Sequence, residues 1–428
     1  MVAKENLKHQ NSDNISLPMK KLIYGLYDLA NSSYSAIIIT FVISTYFARQ
    51  VVGDIQLGAA YWQWTAGVCG LLIAASGPLL GSMADRRKGG LIYFLRLFTF
   101  LCLAITCLFW FALPSIDYVF FTLIIFLLSN YCYEIAQVFY NSLLKQSVPS
   151  KELGKTSGLG FGLGYLGTVP ILLIVLYFFI LPEKSLFNLD KNNFEHVRFT
   201  SFVVVIWFFI FSIPMLFKFS DQNQNAQQNN SINIFKELFQ MIWQKKFTMI
   251  GKFLFARMLY ADALIVLISG GGVFASGVFG YNFQEIIQMA IAANIVAFIG
   301  VIIGGYLNDK FSSKKIILVC ITALILCVVF ISMIAQTKMQ FFFGVMVVSI
   351  FLGTIQSASR VMMTLLLDSD NVGKGFGLFA FSGRITSFLG PLLVGTMTFL
   401  FSQRVGLLSC IILFILGFIF MMKVKENE

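Results

Sequence analysis

GSMADRRK, residues 81 to 88, and GYLNDKFSSKK, residues 305 to 315, decide the architecture of this chain. Each closes a long apolar run. Each sets a glycine four residues before an aspartate that basic residues follow: Gly81 and Asp85 in the first copy, Gly305 and Asp309 in the second. Two copies, each at the end of a second apolar run within its half, predict an internal repeat. A second pair agrees: GLGFGLGYLGTVP ends in Pro170, and GKGFGLFAFSGRITSFLGP ends in Pro391.

The rest of the chain fits a repeat built in lipid. Apolar residues make up 58% of it and charged residues 12%, with a mean hydropathy of +0.81; a soluble domain is about half apolar and about a quarter charged. Runs of about twenty apolar residues recur throughout, each long enough to cross a bilayer as a helix. Twelve such helices are predicted, starting near 23, 58, 91, 117, 157, 200, 249, 285, 316, 340, 376 and 405. The expected divisions are a tail over 1–22, six helices over 23–218, a polar linker over 219–248, six helices over 249–423 and a tail over 424–428. Within the linker, Ile234 to Trp243 reads as a surface amphipathic helix. With both termini cytoplasmic, about twenty-one of the 31 basic residues lie inside and about six outside, as the positive-inside rule asks.

Several functions fall away. The net charge of +11 is spread over short loops, which does not suit nucleic acid. All seven cysteines lie in apolar runs, so neither disulfides nor a CxxC metal site is expected, and no cofactor is implied. Gly162, Gly164 and Gly167 spell a dinucleotide fingerprint, but the lipid-spanning PILLIVLYFFI follows them. There is no Walker motif, and no His/Asp/Cys cluster suits a membrane enzyme.

Small-xxx-small pairs mark spans 2 (Gly77, Gly81), 5 (Gly158, Gly162; Gly160, Gly164) and 8 (Gly300, Gly304), and span 11 carries Gly375, Gly377 and Gly383. Such faces let backbones approach closely, and they predict contact between the halves along these four spans. Spans 1, 4, 7 and 10 then line a cavity.

Ionisable residues within a span are costly and point to function. Span 1 carries Asp28 in a stripe with Tyr24, Tyr27, Asn31 and Ser35 that is expected to face the cavity. Span 4 carries Glu134 on a face with Asn130, Gln137 and Asn141. In the second half stand Arg257 and Asp262 (span 7), Arg360 four residues after Gln356 (span 10), and Arg384 (span 11). Acids and amides facing arginines suit a zwitterion, its carboxylate on Arg360 or Arg384 and its amine near Asp28 or Glu134. The structural alternatives are capping or local pairing for Asp28, a Glu134–Arg360 ion pair that only ties helices 4 and 10, and snorkelling for Arg257 and Arg384. Asp85 with Arg86, and Asp309 with Lys310, read as gates, each carboxylate lying by the positive N-terminal end of span 11 or span 5. The two histidines, His9 and His196, lie outside the spans, so a proton relay would have to use buried carboxylates.

These features resemble the major facilitator superfamily. Within it the chain is similar to the branch of autophagy-related vacuolar amino-acid effluxers and their bacterial "unknown major facilitator" relatives. The carrying residues are Tyr27-Asp28-Leu29-Ala30-Asn31-Ser32, with leucine for the branch's usual tryptophan; Leu259-Tyr260-Ala261-Asp262-Ala263; and Gln356-Ser357-Ala358-Ser359-Arg360. Arg384 stands where the branch has lysine, and Lys88 and Ser312 where its loop glycines fall. The resemblance implies an all-α fold of two pseudo-symmetric six-helix halves and a transporter of small polar solutes, amino acids first, with Tyr260 joining the binding set. Proton coupling and facilitated efflux both remain open, as do an organic-anion cargo, a non-transporting scaffold and the oligomeric state. Short loops favour a bacterial inner membrane over a vacuole.

Overall fold

The computed structural model describes residues 16–182, 186–219, 234–281 and 283–425. Twelve long helices run through them: α1 (Leu17–Val51), α2 (Ile55–Asp85), α3 (Gly90–Phe111), α4 (Ile116–Ser142), α5 (Ser150–Ile180), α6 (Glu195–Lys218), α7 (Met249–Phe279), α8 (Phe283–Lys310), α9 (Ser313–Ile334), α10 (Lys338–Leu366), α11 (Ser369–Leu400) and α12 (Gln403–Met422); among the described residues all but α7 are long and apolar enough to cross a membrane. Large apolar side chains such as Phe120, Phe343, Leu392 and Phe399 stand exposed on the outside, as lipid-facing helices require. The chain is a multi-pass integral membrane protein.

Local sequence explains most of the ends. The helix α1 starts at Leu17, ahead of the expected 23, because Pro18 fits the first turn and Lys20 and Lys21 mask the start in a hydropathy reading. Thr337 and Gln340 form a capping box that starts α10. The equivalent helices α5 and α11 differ: α5 runs unbroken through Pro170, whereas α11 breaks between Arg384 and Leu389. Pro391 lacks the N–H that would bond back into the last turn before it. The linker helix spans Ile234–Ile242, and Trp243 opens a two-stranded hairpin, Trp243–Gln244 against Lys246–Phe247. Residues 1–15 of the expected tail and 220–233 of the polar linker lie outside the described residues.

The buried apolar side chains form two clusters, one drawn from Ile23 to Phe219 and the other from Leu238 to Val424. Only Val361 of α10 joins the first and only Val138 of α4 the second, among the described residues. The glycine-bearing helices join the two sets crosswise, α2 with α11 and α5 with α8. A Cβ on Gly377 would lie 2.5 Å from the Gly77 carbonyl oxygen, and one on Gly305 would lie 2.5 Å from that of Gly154 and 3.1 Å from the Gly158 Cα. Lipid tails are as apolar as leucine, so closeness of this kind, rather than burial from water, holds such helices. These contacts sit at the end bearing the Lys/Arg-rich loops, here termed the basic face. Further along α2 and α11, Gly67 and Gly395 have no heavy atom within 4 Å of an added Cβ. The α2–α11 pair therefore meets at the basic face and diverges beyond it, whereas α5 stays on α8 as far as Gly162, where an added Cβ would lie 3.0 Å from Ile302.

Replacing Gly305 or Gly377 by valine should destabilise the closed packing by about 1–3 kcal/mol. Gly67→Val, at an open position, should change nothing. Thermal unfolding in detergent checks this, with a lowered Tm expected for the first two only.

Candidate functional site

Beyond the closed contacts lies a cavity of about 280 Å³. It is lined by Glu134, Gln137 and Asn141 of α4, Phe161 of α5, Arg257 and Tyr260 of α7, Gln356, Ser359 and Arg360 of α10, and Phe376, Phe379, Gly383 and Arg384 of α11. The α4 residues share a face because they recur at spacings of three and four.

The structure brings together seven of the expected binding residues: Glu134, Gln137, Arg257, Tyr260, Gln356, Arg360 and Arg384. It sets four others apart. Asp28, 6% exposed, lies behind the cavity wall rather than on it, with Asn31 donating to its Oδ1 at 3.3 Å. Asn130 donates to the Cys69 sulfur at 3.4 Å. Asp262 is buried and accepts from the Thr386 hydroxyl at 3.3 Å. No α1 side chain reaches the cavity, because α5 presses on α1 from one side and Tyr140 covers it from the other. Gly160 and Gly164 make that approach possible: a Cβ on Gly164 would already touch the Asp28 backbone at 3.5 Å.

The ion pairs also differ from the expected Glu134–Arg360 bridge. Arg360 donates from Nη1 to Asp28 Oδ2 at 3.2 Å and to the Tyr24 hydroxyl at 3.2 Å, while the Tyr140 hydroxyl donates to the same carboxylate oxygen at 2.8 Å. Tyr24 and Tyr27 stack on either side of Tyr140, and the guanidinium lies 4.1 Å from the Phe161 ring centroid. Glu134 pairs instead with Arg384, at the break in α11. Both pairs tie the first six helices to the last six. Phe161 and Tyr140 were not singled out from the sequence; Tyr140 lies three residues beyond Gln137 on the same face of α4, a spacing that would have found it.

Arg257 stands differently. Its Nη1 donates to the Phe379 carbonyl at 2.7 Å and to Ser382 Oγ at 2.9 Å, with the guanidinium 3.5 Å from the Phe379 ring centroid. Gly383 makes room, since a Cβ there would stand 2.8 Å from the guanidinium. Among the described residues it pairs with no carboxylate. The cavity wall thus carries three arginines and one glutamate, with Asp28 behind it and Asp262 near Arg257 but not bonded to it; Arg257 is the arginine of the three that no carboxylate directly holds among the described residues.

At the basic face Asp85 accepts from the Gly373 and Lys374 amides, both at 2.8 Å, and Asp309 accepts from the Gly154 and Lys155 amides at 2.6 and 2.9 Å. Each carboxylate thus caps the N-terminus of a helix in the opposite half. Arg86 and Lys374 converge on Glu237 of the linker helix, at 3.3 and 3.0 Å. Burial pushes the Glu237 carboxyl up, but Lys374 and Arg86 outweigh it and hold it below the ordinary carboxylate range. Lys310, expected at the second gate, lies over the Phe311 ring instead, at 5.7 Å. Arg96 donates to the Leu216 carbonyl, a structural use.

The family model for vacuole effluxers like Atg22 matches residues 51–428. The chain belongs to this Atg22-like family. It is 28% identical over 411 residues to an uncharacterised MFS-type transporter, YxiO, of Bacillus subtilis, covering 94% of both chains. Against autophagy-related protein 22 of Vanderwaltozyma polyspora it is 25% identical over 319 residues, spanning 64% of this chain and 60% of that one. A benzoate transport protein of Acinetobacter baylyi is 24% identical over 53% of this chain and 47% of its own. The E. coli fucose:proton symporter FucP superposes with a TM-score of 0.73 at 13% identity, over 96% of this chain and 98% of that one. The proton:xylose symporter XylE does so with a TM-score of 0.73 at 14% identity, over 96% of both. The fold of this Atg22-like chain is therefore the major facilitator fold.

Removing one member of a buried pair leaves the other charge uncompensated, at about 3–5 kcal/mol. Asp28→Asn and Arg360→Gln should each lower stability by that order, and the double variant by clearly less than their sum. Denaturation of the four proteins in a double-mutant cycle checks the coupling.

Proposed function

We propose that this Atg22-like transporter moves amino acids by alternating access, with the 280 Å³ cavity as its substrate site. The observation that carries the reading is the cavity's charge pattern: Arg257, with no carboxylate bonded to it among the described residues, lines the same cavity as the Glu134–Arg384 pair. A zwitterion meets both needs. Its carboxylate joins Arg257, and its ammonium takes Glu134 as Arg384 turns to the same carboxylate. The remaining wall, Phe161, Leu264, Ile268, Phe376 and Phe379, takes the apolar part of the solute.

Alternating access follows from the two caps. With Asp85 on α11 and Asp309 on α5 the basic face is shut. Breaking both lets the halves part there and expose the cavity to that side. The charge asymmetry of the loops supports a cytoplasmic basic face, the bacterial relative supports a bacterial inner membrane, and the effluxer family supports export as the working direction. The Asp28–Arg360 pair lies beside the cavity, and Glu134 lies in it. A solute carboxylate that draws Arg360 away leaves the Asp28 carboxylate without its cation, and that is the point at which a proton gradient would couple to transport.

Arg257, which no carboxylate directly holds among the described residues, also favours a second cargo, an organic anion with no amine, of which benzoate, the solute named for one relative, is a convenient probe. Proteoliposomes loaded with mixed amino acids, assayed with and without a pH gradient, separate the readings. Efflux of amino acids should fall about 10- to 100-fold in Arg257→Gln, the loss expected for one charge-assisted contact, and should fall likewise in Glu134→Gln. If Glu134→Gln leaves flux intact and benzoate competes where glycine and leucine do not, the cargo is the anion.

A further inference from the structure

The linker carries a surface that neither the cavity nor the caps use. In the linker helix Glu237, Leu238 and Met241 turn towards the bundle, while Lys236 and Phe239 turn out. Lys236 and Phe239, three residues apart, share a stripe, and Trp243 opens the hairpin just beyond it. The hairpin extends that stripe by folding Phe247 against Trp243, ring centroids 4.8 Å apart. Phe239 is 60% exposed, Trp243 40% and Phe247 41%. Lys245, which forms the turn at φ +57°, and Lys246 are exposed beside them.

This patch runs on into the outer wall of the bundle. Phe247 meets Phe255 of α7 at 6.1 Å, Phe255 meets Phe420 of α12 at 4.6 Å, and the exposed Met422 follows. The wall of α7 and α12 faces lipid, so a patch continuous with it at the basic face lies at headgroup height. Tryptophan and phenylalanine beside lysine are what that layer selects, the rings entering the acyl boundary and the ammonium groups meeting phosphate.

We propose that the linker helix and hairpin dock on anionic lipid headgroups of the membrane that holds the bundle, and that this docking seats Glu237 between Arg86 and Lys374. Phe239, Trp243 and Phe247 enter the bilayer, and Lys236, Lys245 and Lys246 take the lipid phosphates. Glu237 is next to Lys236 and two residues from Phe239 on a single helix, so fixing one face fixes the other. Arg86 extends from the end of α2 and Lys374 from the start of α11, and Glu237 can hold both only while those helices are closed. At the second cap the equivalent lysines, Lys155 and Lys310, lie over Tyr306 and Phe311 instead. Lipid charge therefore acts on one cap of the two.

The test is hydrogen exchange of the full chain in nanodiscs of phosphatidylcholine alone and with roughly 30% phosphatidylglycerol, where each lysine near the surface contributes about fivefold to docking. Peptides over 234–248 should exchange at least fivefold more slowly with the anionic lipid, and so should those over 369–376. A triple variant, Lys236→Gln, Lys245→Gln and Lys246→Gln, should lose both effects with its Tm unchanged, since all three side chains are exposed. Glu237→Gln should keep the effect over 234–248 and lose it over 369–376. Equal exchange of the parent linker in both bilayers overturns the docking and turns the patch towards a soluble protein. Protection of the parent linker with none over 369–376 overturns its link to the cap.

Discussion

Two carboxylates, each capping a helix that belongs to the opposite half, are the contacts on which the arrangement depends. Lipid gives no hydrophobic reward for bringing one apolar helix to another. Cohesion must come from backbones close enough for dispersion and from polar groups that have no better partner in hydrocarbon. Glycines at 77, 81, 154, 158, 305, 373 and 377 supply the closeness, and Asp85 and Asp309 supply the polar partner by accepting the end amides of α11 and α5. Those amides have no partner within their own helices. The bonds are few and sit at one end, so they can break together, which suits a joint that has to open.

The buried charges obey a different constraint. Asp28 and Arg360 are both almost wholly enclosed, and their enclosure is tolerable because Tyr24, Tyr140 and Phe161 complete the shell. Glu134 and Arg384 keep more contact with the cavity. One pair is therefore costly to disturb and the other open to exchange with a solute. Arg257, bonded to a carbonyl and a hydroxyl and to no carboxylate among the described residues, adds a charge that a solute carboxylate would meet. The symmetric frame thus holds an asymmetric set: the first six helices contribute the cavity's glutamate, the last six its three arginines.

Much of this was legible in the amino-acid order. Hydropathy and the duplicated Gly-x-x-x-Asp ends gave twelve helices in two sets, because a 30 Å apolar layer leaves helices as the available form for such runs. The same repeat pointed each aspartate at the start of α5 or α11, since a carboxylate and a helix N-terminus attract whatever surrounds them. Spacing along α4 identified one polar face. Tertiary structure alone decided which charge meets which: Asp28 rather than Glu134 holds Arg360, because the rotation of α1 and the glycines of α5 bring Asp28 under α10, while the break in α11 carries Arg384 to Glu134. Periodicity reports which side chains share a face of one helix, and it holds no information on how far that face is turned towards its neighbours. The convergence of Arg86 and Lys374 on Glu237 was beyond the sequence for the same reason, since it joins three segments whose only common property is where packing puts them.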